Sequence, residues 1–291
     1  MDKKIVRSTI TLVNDRFDDD SNQIIAEGLR TICNIQFGGG AVMPHAEIII
    51  YGLRLDVMHK LMRVRWQDIN SMLNTIRIEA GEAGEFHTVY EGNITFAYID
   101  TSNAPNVSLR IRSITAIYEA YSPSPQRMFA AGTPVVQAIE SLCNGIGYMF
   151  ENNGVPASLT MGDTTMGDTD LNKIRKLCRD YQIDLYIENR SITITRQGAP
   201  RNIRVPLITP KTGLIGYPVP TIQGVDLRCL YDPMIRFGGL IRIQDSLMET
   251  TNGDWRVFGT TIQLESELPG GAWFIDVRAT HNEPNNTAIS R

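Results

Sequence analysis

Ile5-Val6-Arg7-Ser8-Thr9-Ile10-Thr11-Leu12 decides how the first third of the chain folds. Val6, Ser8, Ile10 and Leu12 fall on one side of an extended backbone and Ile5, Arg7, Thr9 and Thr11 on the other, the two-residue period of a half-buried strand. The pattern carries outward. Residues 46–51 are mostly β-branched or aromatic. Residues 74–79 alternate, with Ile76 and Ile78 on one face. Residues 92–101 place Ile94, Phe96 and Tyr98 on one side, and residues 107–118 form a further long candidate. Gly38-Gly39-Gly40, Gly81, Gly84 and Gly92 punctuate these runs, and one short helix fits at 55–62. Short strands with spaced turn signals predict a barrel or sandwich over residues 1–121.

Ser122-Pro123-Ser124-Pro125 marks a boundary, because two prolines in four residues disfavour both helix and strand ladder. Beyond it the period changes. Thr133-Pro134 supplies a capping hydroxyl and then a proline at the first helical position. Val135, Ala138, Ile139, Leu142, Cys143 and Ile146 follow at helical spacing, and Gly145 and Gly147 can end the helix. A short strand fits at 148–151. A second helix fits at 170–181, with Leu171, Ile174, Leu177, Cys178 and Tyr181 on one face. Residues 184–188 and 191–195 read as a hairpin about Asn189-Arg190. Residues 122–205 are therefore expected to form a small α+β domain. From 206 to 291 the chain returns to β, with strands expected at 225–231, 237–244, 255–264 and 272–279. Asn252-Gly253 is a hairpin-turn signal, since both residues accept positive φ. The polar tail after His281, with Pro284, Asn285 and Asn286, is expected to be loose.

Length and composition agree with this division. At about 150 residues per domain, 291 residues make roughly two domains or a few small ones. Hydrophobic residues at 42% and charged residues at 21% match a soluble globular protein with enough apolar material for a core. A net charge of -4 gives no support to a nucleic-acid-binding surface. The small basic clusters, Arg63 with Arg65 and Arg175-Lys176 with Arg179, read as solvated faces. Cys33, Cys143, Cys178 and Cys229 lack C-x-x-C spacing, so zinc and thioredoxin-type chemistry lack their pattern. Buried thiols without disulfides, in a chain assembled in a reducing cytoplasm, are expected. The first residues show no apolar leader, and no stretch of about 18 apolar residues suggests a membrane span.

Candidate chemistry is sparse. His45, His59, His87 and His281 show no metal-ligand spacing. Asp163, Asp168 and Asp170 sit in a repeated Met-Gly-Asp-Thr unit that departs from the calcium-loop pattern; they are expected to form a polar turn capping the second helix. Glu265 and Glu267, at i and i+2 of a strand, would point the same way at about 7 Å, within the spacing of glycosidase carboxyls. A catalytic acid would have to be raised in pKa by burial, of which the sequence gives no sign, so a solvated strand face is the better reading. G-x-S-x-G, P-loop and G-x-G-x-x-G patterns are absent from the sequence, and Gly38-Gly39-Gly40 reads as a flexible loop. Trp66, Trp255 and Trp273 are expected to fill cores or interfaces. No catalytic residue, metal ligand or cofactor is expected.

Several segments look familiar. Glu47-Ile48-Ile49-Ile50-Tyr51-Gly52-Leu53 before a short helix, and Glu79-Ala80-Gly81-Glu82 before Val89-Tyr90-Glu91-Gly92-Asn93-Ile94, resemble the first domain of phage baseplate hub proteins. Thr212-Gly213-Leu214-Ile215-Gly216-Tyr217-Pro218-Val219-Pro220, then Gly224 to Pro233, Ile235-Arg236-Phe237-Gly238-Gly239-Leu240, Asn252-Gly253-Asp254-Trp255 and Leu268-Pro269-Gly270-Gly271-Ala272-Trp273, resemble the C-terminal half of hubs from contractile-tailed phages, distant relatives of the late control D family. The resemblance implies a mainly β chain: two tail-tube-like β-barrels, 1–121 and 206–291, flanking the α+β domain at 122–205. It implies a homotrimer whose six barrels adapt the six-fold tail tube to the three-fold central spike, with other baseplate proteins as partners. DNA would pass through the lumen without specific binding. The location implied is the virion tail, and the interface loops would carry Tyr217, Pro218, Pro220, Arg236 and Phe237. The lysozyme-like insertion of some hubs is missing from this sequence, so wall hydrolysis is not implied. The alternative is a β-rich glycan-binding or glycan-cleaving module with exposed tryptophan platforms and Glu265 and Glu267 as its carboxyls.

Overall fold

The computed structural model describes residues 3–13, 15–17, 20–38, 42–62, 72–82 and 84–282. Gly39, Gly40, Arg63, Arg65, Trp66, Pro284, Asn285 and Asn286 lie outside the described residues, and with them the glycine loop, the first basic cluster and the polar tail. The chain is mainly β and divides into two compact units: Met1–Tyr118 with Arg228–Pro233 and Thr260–Asp276, and Glu119–Leu227 with Met234–Gly259 and Val277–Arg291.

In the first unit the strands are β1 (Lys4–Thr11), β2 (Gln23–Ala26), β3 (Thr31–Gly38) and β4 (His45–Tyr51), then helix α1 (Leu55–Leu61), β5 (Thr75–Glu82), β6 (Glu85–Asp100) and β7 (Ser108–Ile114). They lie in the order β3-β4-β7-β6-β5-β1-β2, each pair antiparallel. The alternation of Ile5–Leu12 produces the expected faces. Val6, Ser8 and Ile10 are buried with Ile76, Ile78, Ile48, Ile50, Cys33, Ile35, Leu109 and Ile111. Full burial of each aliphatic side chain contributes about 1.5–3 kcal/mol, so this face holds the sheet. Strands β2 and β3 arise from residues 23–38, a stretch with no strand expected from its pattern.

β6 departs from strict alternation. Its register shifts twice, between Ile78 and Glu79 opposite it on β5 and between Ile94 and Phe96 on β6 itself. Each shift inserts one residue and exchanges the faces of the residues beyond it. Ile94 is therefore buried, whereas Tyr98 is exposed; the three residues expected on one side are divided by the bulge. Gly92 sits where the inner face is tightest: a Cβ there would lie 2.3 Å from Tyr90 Oη and 2.8 Å from Ser113 Oγ. Those two hydroxyls form a buried chain, Tyr90 Oη donating to Ser113 Oγ (3.0 Å) and Ser113 Oγ to the Asn93 carbonyl (2.9 Å). The strand expected to run to 118 stops at Ile114. Ala116 adopts φ 58, and the chain enters helix α2 (Ile117–Tyr121).

The second unit begins with β8 (Arg127–Phe129), α3 (Val135–Gly145), β9 (Met149–Asn153), β10 (Thr164–Met166), α4 (Asp170–Asp180), β11 (Ile183–Glu188) and β12 (Ser191–Arg196). β12 pairs antiparallel with β11 and parallel with β9, while β8 and β10 form a separate pair. α3 and α4 pack together, α4 against β11 and α3 against β9. The stripe of Val135, Ala138, Ile139, Leu142 and Cys143 is buried, as the helical spacing requires. The cap differs from expectation. Pro134 is the N-cap residue, and the Thr133 hydroxyl donates to the Ala130 carbonyl (2.7 Å) instead of capping α3. Asn189 and Arg190 both adopt positive φ, 46 and 59, the geometry that matches a two-residue hairpin to strand twist.

The remaining strands are β13 (Leu207–Ile208), β14 (Leu214–Thr221), β15 (Gly224–Leu230), β16 (Leu240–Ile243), β17 (Gly253–Ser266) and β18 (Trp273–His281). β15, β17 and β18 contribute residues to both units. β13 runs parallel to β16, and β16 pairs antiparallel with β17. Asn252-Gly253 is not the expected two-residue turn. The connection between β16 and β17 spans residues 244–252 and includes a 3-10 turn at Glu249–Thr251. Asn252 is extended, and its Oδ1 accepts from the Ser246 amide (3.1 Å).

Candidate interaction surfaces

The acid–base candidates do not converge. Among the described residues, no three histidines, cysteines or acids are placed to hold a metal ion. Asp163 Oδ1 accepts from the Ala131 amide (2.7 Å), and Asp168 Oδ1 accepts from the Thr169 amide (2.6 Å) and Asn172 Nδ2 (3.0 Å). These bonds hold the Asp168 carboxyl below the ordinary carboxylate range, the Asn172 amide acting most strongly. Thr169 caps α4 through the Asn172 amide (3.2 Å), so the turn does the capping work its composition suggests. Glu265 and Glu267 are not a strand pair. β17 ends at Ser266, and Glu267 adopts φ 56 beyond it. Glu265 Oε2 accepts from the Ala272 amide (3.0 Å), and Glu267 pairs with Lys3 (2.6 Å). Both line a shallow depression of about 560 Å³ with Lys4 and Trp273. Trp255 and Trp273 are 8% and 7% exposed, so neither offers a sugar a flat platform. Trp255 Nε1 donates to the Thr251 carbonyl (2.8 Å), and Lys4 sits 5.5 Å from the Trp273 ring centre.

The thiols are inert by burial. Cys33, Cys143, Cys178 and Cys229 are free and buried, and loss of solvation pushes each pKa up to about 12.

Two buried polar clusters escaped the sequence. Lys173 on α4 is fully enclosed; its ammonium donates to Ser124 Oγ (2.8 Å), the Pro125 carbonyl (2.6 Å) and Asp170 Oδ1 (2.9 Å), while Ser124 Oγ donates to Asp170 Oδ1 (2.7 Å). This ties the Ser-Pro-Ser-Pro segment to α4. Arg201, 6% exposed, donates to Glu188 Oε2 (2.7 Å), Thr193 Oγ1 (3.2 Å) and the Phe237 carbonyl (3.1 Å). Heptad or helical periodicity cannot reveal either cluster, because the partners are 36 to 49 residues apart in most of these bonds.

Of the five expected interface residues, Tyr217, Pro220 and Arg236 are exposed, and Pro218 and Phe237 are buried. Phe237 packs edge-on against Tyr186 at 5.0 Å, in space left by Gly238, whose Cβ would lie 2.3 Å from the Tyr186 ring. β14 stands at one end of the strand order, beside β15 only. Ile215, Tyr217 and Val219 alternate as exposed side chains along it, and Ile222 projects from the hairpin tip. Pro218 and Pro220 remove two amide donors from the same side of the strand, which an end strand tolerates and which blunts strand addition.

The open face of the first unit's sheet is of another kind. Arg7 meets Glu27 (2.8 Å) and Glu79 (3.8 Å), Arg77 meets Glu91 (3.0 Å), Arg110 meets Asp100 (2.6 Å) and Arg112 meets Glu47 (3.1 Å). Arg7 also lies over the Phe86 ring at 3.9 Å.

A family model described as baseplate hub gp41 matches residues 5–268. None of the curated proteins matches the sequence. Among solved structures, the 43 kDa tail protein of prophage MuSo2 from Shewanella oneidensis is similar over 97% of both chains, with 9% identity and a TM-score of 0.61. A tail protein from Neisseria meningitidis MC58 is similar over 95% of this chain and 97% of its own, with 9% identity and a TM-score of 0.60. The c3393 protein of Escherichia coli, a component of the type VI secretion system with structural similarity to the T4 tail proteins gp27 and gp5, is similar over 88% of this chain and 74% of its own, with 10% identity and a TM-score of 0.58.

Proposed function

The chain belongs to the baseplate hub gp41 family, and from that premise we propose that three copies form a ring of six β modules joining the six-fold tail tube to a three-fold central spike in the baseplate of a contractile tail. A structural role in the tail baseplate follows from the family. The finer assignment rests on one observation above the others: the family match over residues 5–268 takes in most of both compact units. Two β-rich units per chain make six in a trimer, and closed symmetry leaves no sheet edge exposed to stray pairing. The lumen of that ring is the passage for DNA, and the tube protein, spike and other baseplate proteins are the partners. The protein works without catalysis and assembles in the host cytoplasm. The glycan reading loses support from the burial of Trp255 and Trp273 and from the protein partners that Glu265 and Glu267 already hold.

Tyr217, Pro220 and Arg236 are the proposed contact residues, with Pro218 and Phe237 holding their backbone from within. Light scattering on size-exclusion peaks of the hub with its spike tests this. A three-copy particle that Tyr217→Asp breaks into smaller species supports the assignment. A particle of any other copy number, or a trimer indifferent to Tyr217→Asp, refutes the trimer or these contacts respectively.

A further inference from the structure

We infer that the open face of the first unit's sheet is a charge-masked wall, built to stay in water beside a double-stranded polyanion without holding it. This rests on the proposed hub reading and adds to it which surface meets the nucleic acid and how sticking is avoided.

The first observation is registry. Arg7 stands directly opposite Glu79, Arg77 opposite Glu91, and Arg112 opposite Glu47 on neighbouring antiparallel strands. Directly opposed unlike charges on one face are the arrangement that pairs best. Arg110, two residues from Arg112 and so on the same face, reaches Asp100 instead. The register shift of β6 between Ile94 and Phe96 keeps this face continuous: under strict alternation Glu91 and Asp100, an odd number of residues apart on that strand, would fall on opposite sides of the sheet.

The second observation is that every one of these cations is a guanidinium. Arginine is the side chain best able to fork onto phosphate. Bare, four of them across one sheet would form a phosphate track. Here each already has a carboxylate oxygen within 3.1 Å, and Arg7 has a second acid nearby. A phosphate would have to displace an intramolecular acid and then meet its repulsion. The counterion release that drives non-specific binding is thereby spent within the sheet.

Dense ion pairing argues against a protein partner on this face. The Arg112–Glu47 pair is 68% and 61% exposed, and Arg77 is 49% exposed. Covering several such pairs would strip their water at a cost their mutual attraction need not recover. Protein interfaces are depleted of charge at their centres for that reason.

The test is fluorescence anisotropy of a labelled duplex DNA with the full chain at about 50 mM salt, a condition that favours electrostatic binding. Wild type is expected to give no saturable binding. The quadruple variant Glu27→Gln, Glu47→Gln, Glu79→Gln, Glu91→Gln, which neutralises both acids beside Arg7, is expected to tighten apparent affinity by about tenfold or more, with a log–log salt slope of roughly -3 for the unmasked Arg7, Arg77 and Arg112. Adding Arg7→Gln, Arg77→Gln and Arg112→Gln should abolish the gain. Glu47→Gln alone, at the most exposed pair, serves as the variant least able to disturb folding and should give a smaller gain in the same direction. A folded variant that binds no better than wild type overturns the inference, as does wild-type binding that the arginine substitutions remove. Hydrogen exchange of the assembled hub separates the two levels. Protection of this face by a protein neighbour in a three-copy ring sinks the wall and leaves the hub standing, whereas the absence of a ring sinks the hub reading itself.

Discussion

Replacing Lys173 with methionine should destabilise the second unit more than any surface change. The ammonium is fully buried and makes three donor contacts, to Ser124 Oγ, the Pro125 carbonyl and Asp170 Oδ1, at 2.8, 2.6 and 2.9 Å. Methionine keeps the volume and removes the charge. Asp170, 5% exposed, is then left with a single hydroxyl partner, Ser124. Removing one member of a buried ion pair costs about 3–5 kcal/mol, chiefly through the charge left behind. Against a typical domain stability of about 5–15 kcal/mol this is a large fraction. Neutralising both members, Lys173→Met with Asp170→Asn, should recover part of the loss. The residual cost is the lost hydrogen bond to the Pro125 carbonyl, about 0.5–1.5 kcal/mol, because Pro125 is exposed and water can replace the donor. Urea unfolding monitored by circular dichroism reads this as a lowered midpoint at unchanged slope. A single variant within about 1 kcal/mol of wild type would refute the reasoning, because it would mean the pair is solvated. So would a double variant no more stable than the single one.

The same geometry sets three other outcomes. Gly92→Ala should cost about 1–3 kcal/mol by forcing a methyl into the Tyr90–Ser113 hydroxyl chain, measurable as a lower melting temperature. The four cysteines should resist a thiol reagent at pH 8 in the native protein and react fully in denaturant, since burial holds each thiol near pKa 12. Burial, partly offset by a backbone hydrogen bond and then by Arg190, raises the Glu119 carboxyl pKa, so the folded state holds its proton more firmly than the unfolded chain does. Its contribution to stability is therefore full below the ordinary glutamate range and is lost as pH rises through the raised value. Glu119→Gln should raise the melting temperature at pH 7, and the gain should vanish near pH 4.

The sequence carried most of the strands because half-buried strands print their period. Ile5–Leu12 and residues 46–51 and 74–79 formed the expected strands to within a few residues. The mainly β class with a helical insert followed from them. β6 resisted for a specific reason: an inserted residue shifts the period without leaving a compositional mark, so Ile94 and Tyr98 looked like one face and are two. Asn252-Gly253 misled because the Asn252 side chain is spent on the Ser246 amide, a partner six residues away. Thr133 misled likewise, its hydroxyl turning back to Ala130. The charge-paired face was equally hidden, since Arg112 and Glu47 become neighbours only once the order of the strands is known.

A cross-section of the assembled tail tip by electron cryomicroscopy tests the hub assignment most directly. At the level of this protein the density should resolve three chains and six β-sheet lobes around an open channel, two lobes to each chain. Three lobes, six separate chains or a plugged centre would contradict it.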